Sequence, residues 1–231
     1  MSISITGALI NAAAIVCGGM IGLLLKGRIP KNFADSIIRV IALCVCVIGI
    51  SGAIKGNPML LVVSLALGAF IGELIRIEDG INKLGQWLQQ KLSRKEENST
   101  FSEGFVMATL LFGVGAMAII GSIESGLGND RSIIFTKSIM DGVTSMMLAS
   151  TLGLGVLFSA AAILVYQGSI ELFAGYLQNV LTVALITQIS AVGGVMIFGI
   201  GLNMILNAKI RVANLLPGLL VAVGYYYLFL A

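Results

Sequence analysis

Histidine is absent from all 231 residues, and only 11% of them are charged. Without histidine the chain has lost the most versatile metal ligand and the usual general base at neutral pH. A soluble domain would carry about 25% charged residues. Only three cysteines occur, Cys17, Cys44 and Cys46, all inside apolar stretches where they act as small hydrophobes, so no disulfide framework is implied. Cys44-Val-Cys46 has no histidine to complete a metal site. No serine stands beside an evident base. Neither a metal, a cofactor nor an enzymatic reaction is therefore expected. Nucleic acid is not an expected partner either: the net charge is only +3, and the longest polar segment, Arg76 to Glu103, mixes both signs.

What the chain does have is apolar sequence, 58% of it. The runs are Ile5–Leu25, Ile37–Ile54, Met59–Ile75, Phe105–Ile123, Ile133–Ala149, Leu152–Gln167, Val183–Leu206 and Ala213–Leu230. Each is near the roughly 20 residues that a helix needs to cross about 30 Å of hydrocarbon. No polar block is long enough to form a domain of its own, so residues 1–231 read as one all-α polytopic membrane domain. The first run resembles a spanning helix more than a signal peptide, because it lacks a basic leader and a cleavage site.

The fifth and sixth runs meet at Ser150-Thr151-Leu152-Gly153 without a charge and could form one broken helix. The basic residues decide the count. Lys26, Arg28, Lys31 and Arg39 flank the first gap, Arg76, Lys83, Lys91, Arg94 and Lys95 the third, and Lys209 and Arg211 the seventh. The alternate gaps hold only Lys55 and Arg131, with Glu124, Asp130 and Glu171. Eight crossings put all three basic gaps on the cytoplasmic side, as the positive-inside rule requires, and both termini outside. Seven would strand Lys209 and Arg211 outside.

Self-similarity suggests a repeat. Ala14-x-x-x-Gly18-x-x-x-Gly22 matches Ser64-x-x-x-Gly68-x-x-x-Gly72, and Phe112–Ile119 matches Phe198–Ile205 around Gly113-x-Gly115 and Gly199-x-Gly201. The third and sixth runs are each followed by an amphipathic, interfacial stretch. Its apolar residues are Ile77, Ile81, Leu84, Leu88 and Leu92 in one case, and Leu172, Phe173, Tyr176, Leu177 and Val180 in the other. The scheme is two leading spans (residues 1–57) and two inverted copies, spans 3–5 (58–150) and spans 6–8 (151–231). Inverted repeats are common in secondary transporters, with the substrate site near the midplane between copies. Gly18, Gly22, Gly68 and Gly72 are expected to serve close helix packing. Gly113, Gly115, Gly199 and Gly201 could instead let the helix open and expose carbonyls to an ion or substrate.

The fifth run carries the chemistry. Lys137, Asp141, Thr144, Ser145 and Leu148 share one helical face, with Ser138 beside them. Asp141 falls about 13 Å along the helix, near the midplane. A carboxylate there costs about 2.5–3.5 kcal/mol on insertion scales, so it should face protein or water, with Lys137 as its partner. The pair could bind a cation or proton at Asp141, or an anion at Lys137, or simply lock the helix in place. Asn203 and Asn214 are weaker pathway candidates. Asn11 and Ser190 fit interhelical hydrogen bonds, and Pro217 fits a kink.

Several motifs in order resemble one family: Gly7-Ala-Leu-Ile-Asn-Ala-Ala-Ala14 with Gly18-Gly19, Gly121-Ser-Ile-Glu-Ser-Gly126, Lys137-Ser-x-x-Asp141, Ser190-Ala-Val-Gly-Gly194 and Asn214-Leu-Leu-Pro217. The chain is similar to the YqgA and YdfK group of bacterial inner-membrane proteins, which carries a domain of unknown function. The resemblance implies a bacterial plasma-membrane location and a transport role, but no substrate and no site residues. The expected function is transport of a small ion or metabolite across the lipid bilayer. An oligomeric ion channel and a non-transporting scaffold are the alternatives. The stripes of small residues suit a homo-oligomer.

Overall fold

Backbone amides in hydrocarbon find no water to bond, so apolar runs of this length close their hydrogen bonds internally as helices. The computed structural model describes residues 5–26, 31–92, 98–113, 115–128, 131–206 and 208–230. Arg28, Arg94, Lys95 and Asp130, used in the topology argument, lie outside them. Among the described residues there are eleven α-helices and no strand. They are α1 Thr6–Leu25, α2 Lys31–Ala53, α3 Pro58–Ile75, α4 Ile77–Leu92, α5 Asn98–Gly113 and α6 Ala116–Gly126. The chain continues with α7 Ser132–Leu152, α8 Leu154–Leu172, α9 Ala174–Val180, α10 Val183–Leu206, a 3-10 turn Val212–Leu215 and α11 Pro217–Phe229.

Every expected apolar run lies on this helical framework. Among the described residues five stretches are long and apolar enough to cross a bilayer: α1, α3, α8, α10 and Val212–Phe229. The α5–α6 pair, bent by 62°, makes a sixth if counted as one span. The helix α7 has the length, 21 residues, but its polar residues dilute it. The apolar part of α2, Arg39–Ala53, is shorter. The protein is an all-α membrane protein.

Local chemistry sets several ends. Asn57 caps α3 with its side chain, accepting from the N–H groups of Met59 (2.9 Å) and Leu60 (3.2 Å), and Pro58 occupies the first turn. Pro217 opens α11 directly after the 3-10 turn, so in place of the expected kink within a helix it marks a helix start, where its missing N–H costs nothing. Gly153, at φ 76°, separates α7 from α8. A side chain is strained at that angle, and glycine is not.

The helices cluster into two compact units. The first comprises Met1–Pro30 and Gly85–Thr182, and thus α1 and α5 to α9. Here α1 and α7 run parallel: a Cβ on Gly18 would land on the Gly142 carbonyl, and one on Gly22 on the Met146 carbonyl. Against α8 the direction of α1 reverses, since Gly19 meets Leu157 while Ala8 meets Glu171. The chain therefore turns back at Gly153, and the fifth and sixth runs are two antiparallel helices. The helix α5 lies along α8, with Gly155 against the Phe101 carbonyl and Gly104 against Leu152. Ile15, Met107, Phe112, Ile134, Leu148, Val156 and Ile163 form the apolar core.

The second unit comprises Lys31–Leu84 and Val183–Ala231. In it α2 and α10 pack antiparallel through glycine, Gly49 against Gly194 and Phe198, Gly201 against Cys46 and Ala42. The α3 glycines Gly68 and Gly72 receive Gly218 and the Asn214 carbonyl. Phe70, Leu74, Leu220 and Leu228 point outward, as lipid-facing side chains should. The expected packing role of Gly18, Gly22, Gly68 and Gly72 is what the contacts show in both units.

Candidate functional site

The polar stripe of α7 turns inward. Lys137 (7% exposed) and Asp141 (6%) are buried, and the lysine Nζ lies 2.6 Å from Asp141 Oδ2. One turn of helix brings the pair together, as the i, i+4 spacing requires. The pair is not isolated. The Asn11 amide of α1 donates to Asp141 Oδ2 at 3.0 Å and to Gln167 Oε1 of α8 at 2.9 Å. Three helices thus meet at one amide, and both Asn11 and Gln167 are fully buried at 0% exposed.

Such a cluster is expensive in hydrocarbon. A buried ion pair gives back its desolvation cost only when its remaining donors and acceptors are satisfied. Here they are not all satisfied: Asn11 Oδ1 and Gln167 Nε2 have no hydrogen-bond partner. A purely structural pair would be expected to close its network, because each orphaned buried group costs about 1–3 kcal/mol. The arrangement leaves one acceptor and one donor free beside a lysine and a carboxylate. It can therefore offer both charge signs and both hydrogen-bond roles to a small guest.

The other predicted residues divide. Ser145 reaches α1, donating to the Ile15 carbonyl at 2.7 Å, and Ser138 donates to the Ile134 carbonyl at 2.7 Å on its own helix. Both are buried beside the pair's helical face. Thr144 turns back to Met140 O at 2.8 Å and contributes nothing to the cluster. The two Gly-x-Gly pairs lie in different surroundings. At Gly113 α5 ends, and Gly115, with extended backbone, precedes α6. Gly113 faces Ile163 and Tyr166, so the break lies about one turn of α8 from Gln167.

Gly199 and Gly201 behave otherwise. They stay inside unbroken α10, where Gly201 admits Cys46 and Gly199 faces Val212. Their small size serves helix contact, and no carbonyl is freed. Asn203 and Asn214, also in the second unit, bond to backbone. Asn203 accepts from Ile210 N–H and donates to Ile210 O, both at 2.8 Å, bridging the segment between α10 and the 3-10 turn. Asn214 accepts from Glu78 N–H at 2.8 Å and so caps α4. None of these four joins the α7 cluster.

Sequence reasoning passed over Asn11 as a packing residue, missed Gln167, and placed Glu171 in an outer loop. Glu171 instead lies in the last turn of α8, 1% exposed, and accepts from Ala8 N–H of α1 at 2.8 Å. The signal was present: Ser159, Ile163, Gln167 and Glu171 recur every four residues along α8, and all are buried. Of the interfacial stretch expected over residues 170–181, only α9 is a separate helix. Phe173, Tyr176 and Val180 around it are exposed.

With this geometry in hand, comparison places the chain among known proteins. Residues 6–227 match the family described as "Protein of unknown function (DUF554)". The chain is 33% identical over 220 residues, 93% of each chain, to "Uncharacterized membrane protein YdfK" of Bacillus subtilis (strain 168). It is 31% identical over 222 residues, 94% of each chain, to "Uncharacterized protein YqgA" of Escherichia coli (strain K12). No solved structure matches.

Proposed function

The chain belongs to the DUF554 family, a membrane-protein family without an assigned activity, and from its buried cluster we propose that it is a carrier for a small ion or metabolite. One observation carries this reading. Lys137, Asp141, Asn11 and Gln167, drawn from three helices, converge in an apolar protein and leave an amide oxygen and an amide nitrogen unbonded. Charged residues at membrane depth mark substrate and ion pathways more often than they stabilise. The 62° bend between α5 and α6 adds a discontinuous segment next to α8, a feature that recurs around transporter sites.

The inverted repeat fits the way the helices group. The first unit holds α5 to α7 of one copy together with α8 of the other, and the second holds α3 with α10 and α11. Each unit thus mixes elements of both copies, and the cluster draws Asp141 from one and Gln167 from the other. The eight-span count is supported by helix directions. Within the first unit α1 and α7 run one way and α8 the other, and within the second α2 opposes α10 and α3 opposes α11. With the basic gaps on the cytoplasmic side, the reading is a bacterial inner-membrane protein with both termini outside. The glycine stripes of α1 and α3 are filled within the chain, so a homo-oligomer would assemble through other faces. Catalysis is not part of the reading: the cluster lacks an activated nucleophile.

The test is flux. Protein purified into proteoliposomes should show saturable uptake, stimulated by counter-substrate, for a solute found by thermal stabilisation across a panel of salts and metabolites. Asp141→Asn should abolish uptake in a folded protein. Steady unitary conductance in its place would identify a channel. Wild-type activity in Asp141→Asn would make the pair structural.

A further inference from the structure

A second carboxylate stands at the end of the same cluster. Glu171 Oε1 accepts from Ala8 N–H in the first turn of α1, while Oε2 is buried and has no hydrogen-bond partner. Gly7 is what lets it approach: a Cβ there would collide with the Glu171 carboxylate and the Ser125 hydroxyl of α6. On α8, Glu171 is one turn from Gln167, and on α1 Ala8 is one turn from Asn11. Two carboxylates, Asp141 and Glu171, therefore bracket the Asn11–Gln167 amide pair.

Charge balance sharpens the question. Lys137 and Asp141 cancel each other, and among the described residues no basic side chain forms an ion pair with Glu171. From α1 the carboxylate is faced by backbone N–H groups, from α6 by Ser125, and from its own helix by Gln167. At the start of α7 Arg131 supplies only a more distant positive charge. If ionised, Glu171 leaves one uncompensated negative charge on a side chain shielded from water. Either a metal cation or a proton can cancel it. A metal ion needs about six oxygen ligands, and no group of three or more acidic, cysteine or histidine residues occurs among the described residues. A proton needs one free oxygen, and Oε2 is free.

Resting on the carrier reading for its purpose but not for its chemistry, we propose that Glu171 is a proton-binding site that couples protonation to the position of α1. A proton delivered from water forms an O–H bond at Oε2, and no other bond changes. The ionised carboxylate holds the positive N-terminal end of α1. A neutral carboxylic acid makes a hydrogen bond roughly half as strong. Protonation thus loosens the helix that carries Asn11, and with it the amide that bridges Asp141 and Gln167.

The measurement is pH-dependent difference infrared spectroscopy of the full chain in lipid nanodiscs. A carboxylic C=O band should titrate reversibly in the wild type, vanish in Glu171→Gln and persist in Asp141→Asn. The glutamine keeps an acceptor for Ala8 N–H, so its melting temperature at low pH should equal that of the wild type. If Glu171→Gln does not fold, Gly7→Ala supplies the second reading. Its Cβ would push the carboxylate off Ala8 N–H, and loss of that donor to the ionised form should move the band's midpoint to higher pH. A band unchanged in Glu171→Gln, or a midpoint unmoved in Gly7→Ala, overturns the proposal. Neither outcome depends on flux, so absence of transport alone would sink the carrier reading and leave the proton site standing.

Discussion

The two units of the molecule put their buried polar side chains to different uses. In the second, polar side chains complete the backbone: Asn57 and Asn214 cap helices, Gln188 accepts from Asn57 N–H at 2.7 Å, and Asn203 binds Ile210 at both ends of its peptide. In the first, Lys137, Asp141, Asn11 and Gln167 bond to one another across three helices; buried polar atoms without a partner occur in both units, at Asn11, Gln167 and Glu171 in the first and at Ser64, Ser190 and Asn214 in the second. A polar group that finishes a helix end accounts for itself. One that joins charged and amide side chains of several helices inside an apolar protein points beyond the fold.

The harshest way to break this contrast is at the contact both units share, glycine against backbone. Gly18→Leu would drive a side chain into the Gly142 carbonyl and part α1 from α7, so no stable protein should be recovered from membranes. Gly224→Leu, at a position where a Cβ meets nothing, should express normally. Next comes Asp141→Ala, which leaves Lys137 buried without its partner and should cost about 3–5 kcal/mol in a denaturation assay. Lys137→Met with Asp141→Leu should recover most of that stability while transport stays lost. Recovery of both would move the first unit into the same class as the second.

In the second unit the effects should be smaller. Asn214→Ala removes the cap on α4 and should cost about 0.5–2 kcal/mol, with flux retained. Smallest is Glu73→Gln, which breaks an ion pair with Arg211 at 3.0 Å that is half exposed on both sides; a change of about 0–1 kcal/mol is expected. Nearby Glu78 offers a pH test. Burial, partly offset by a backbone hydrogen bond at Ala213 and the Arg211 charge, raises its carboxyl above the ordinary carboxylate value. The folded protein binds that proton more tightly than the unfolded chain does. The contribution is therefore complete at pH below the ordinary value and is lost as pH rises through the raised one. A Glu78→Gln variant should flatten this slope in melting temperature against pH.

Much of the architecture was legible because lipid imposes simple rules. Long apolar runs must be helices, Gly153 and Pro217 must interrupt them, and small residues at every fourth position must mark close contacts. The i, i+4 pairing of Lys137 with Asp141 was equally legible, since one helix decides it. The partners were not, because Asn11 meets Asp141 across 130 residues and Gln167 across 156, through packing alone. Identical Gly-x-Gly motifs also gave different outcomes. Gly201 is filled by Cys46 of a neighbouring helix, whereas nothing lies where a Cβ on Gly115 would sit. Neighbours, and not local sequence, distinguish the two pairs.

The single residue between α7 and α8 has a consequence for how the protein is made. Alone, α7 is a poor candidate for entering lipid, since Lys137 and Asp141 near its centre each carry a penalty of about 2.5–3.5 kcal/mol at the translocon. Its successor α8 is apolar enough to enter unaided. With only Gly153 between them, the two must leave the ribosome's exit path as one hairpin, the second helix drawing in the first. Biogenesis of the charged helix would then wait on synthesis of the helix after it. A nascent chain arrested before residue 154 should leave α7 accessible to water, and one arrested after α8 has emerged should not.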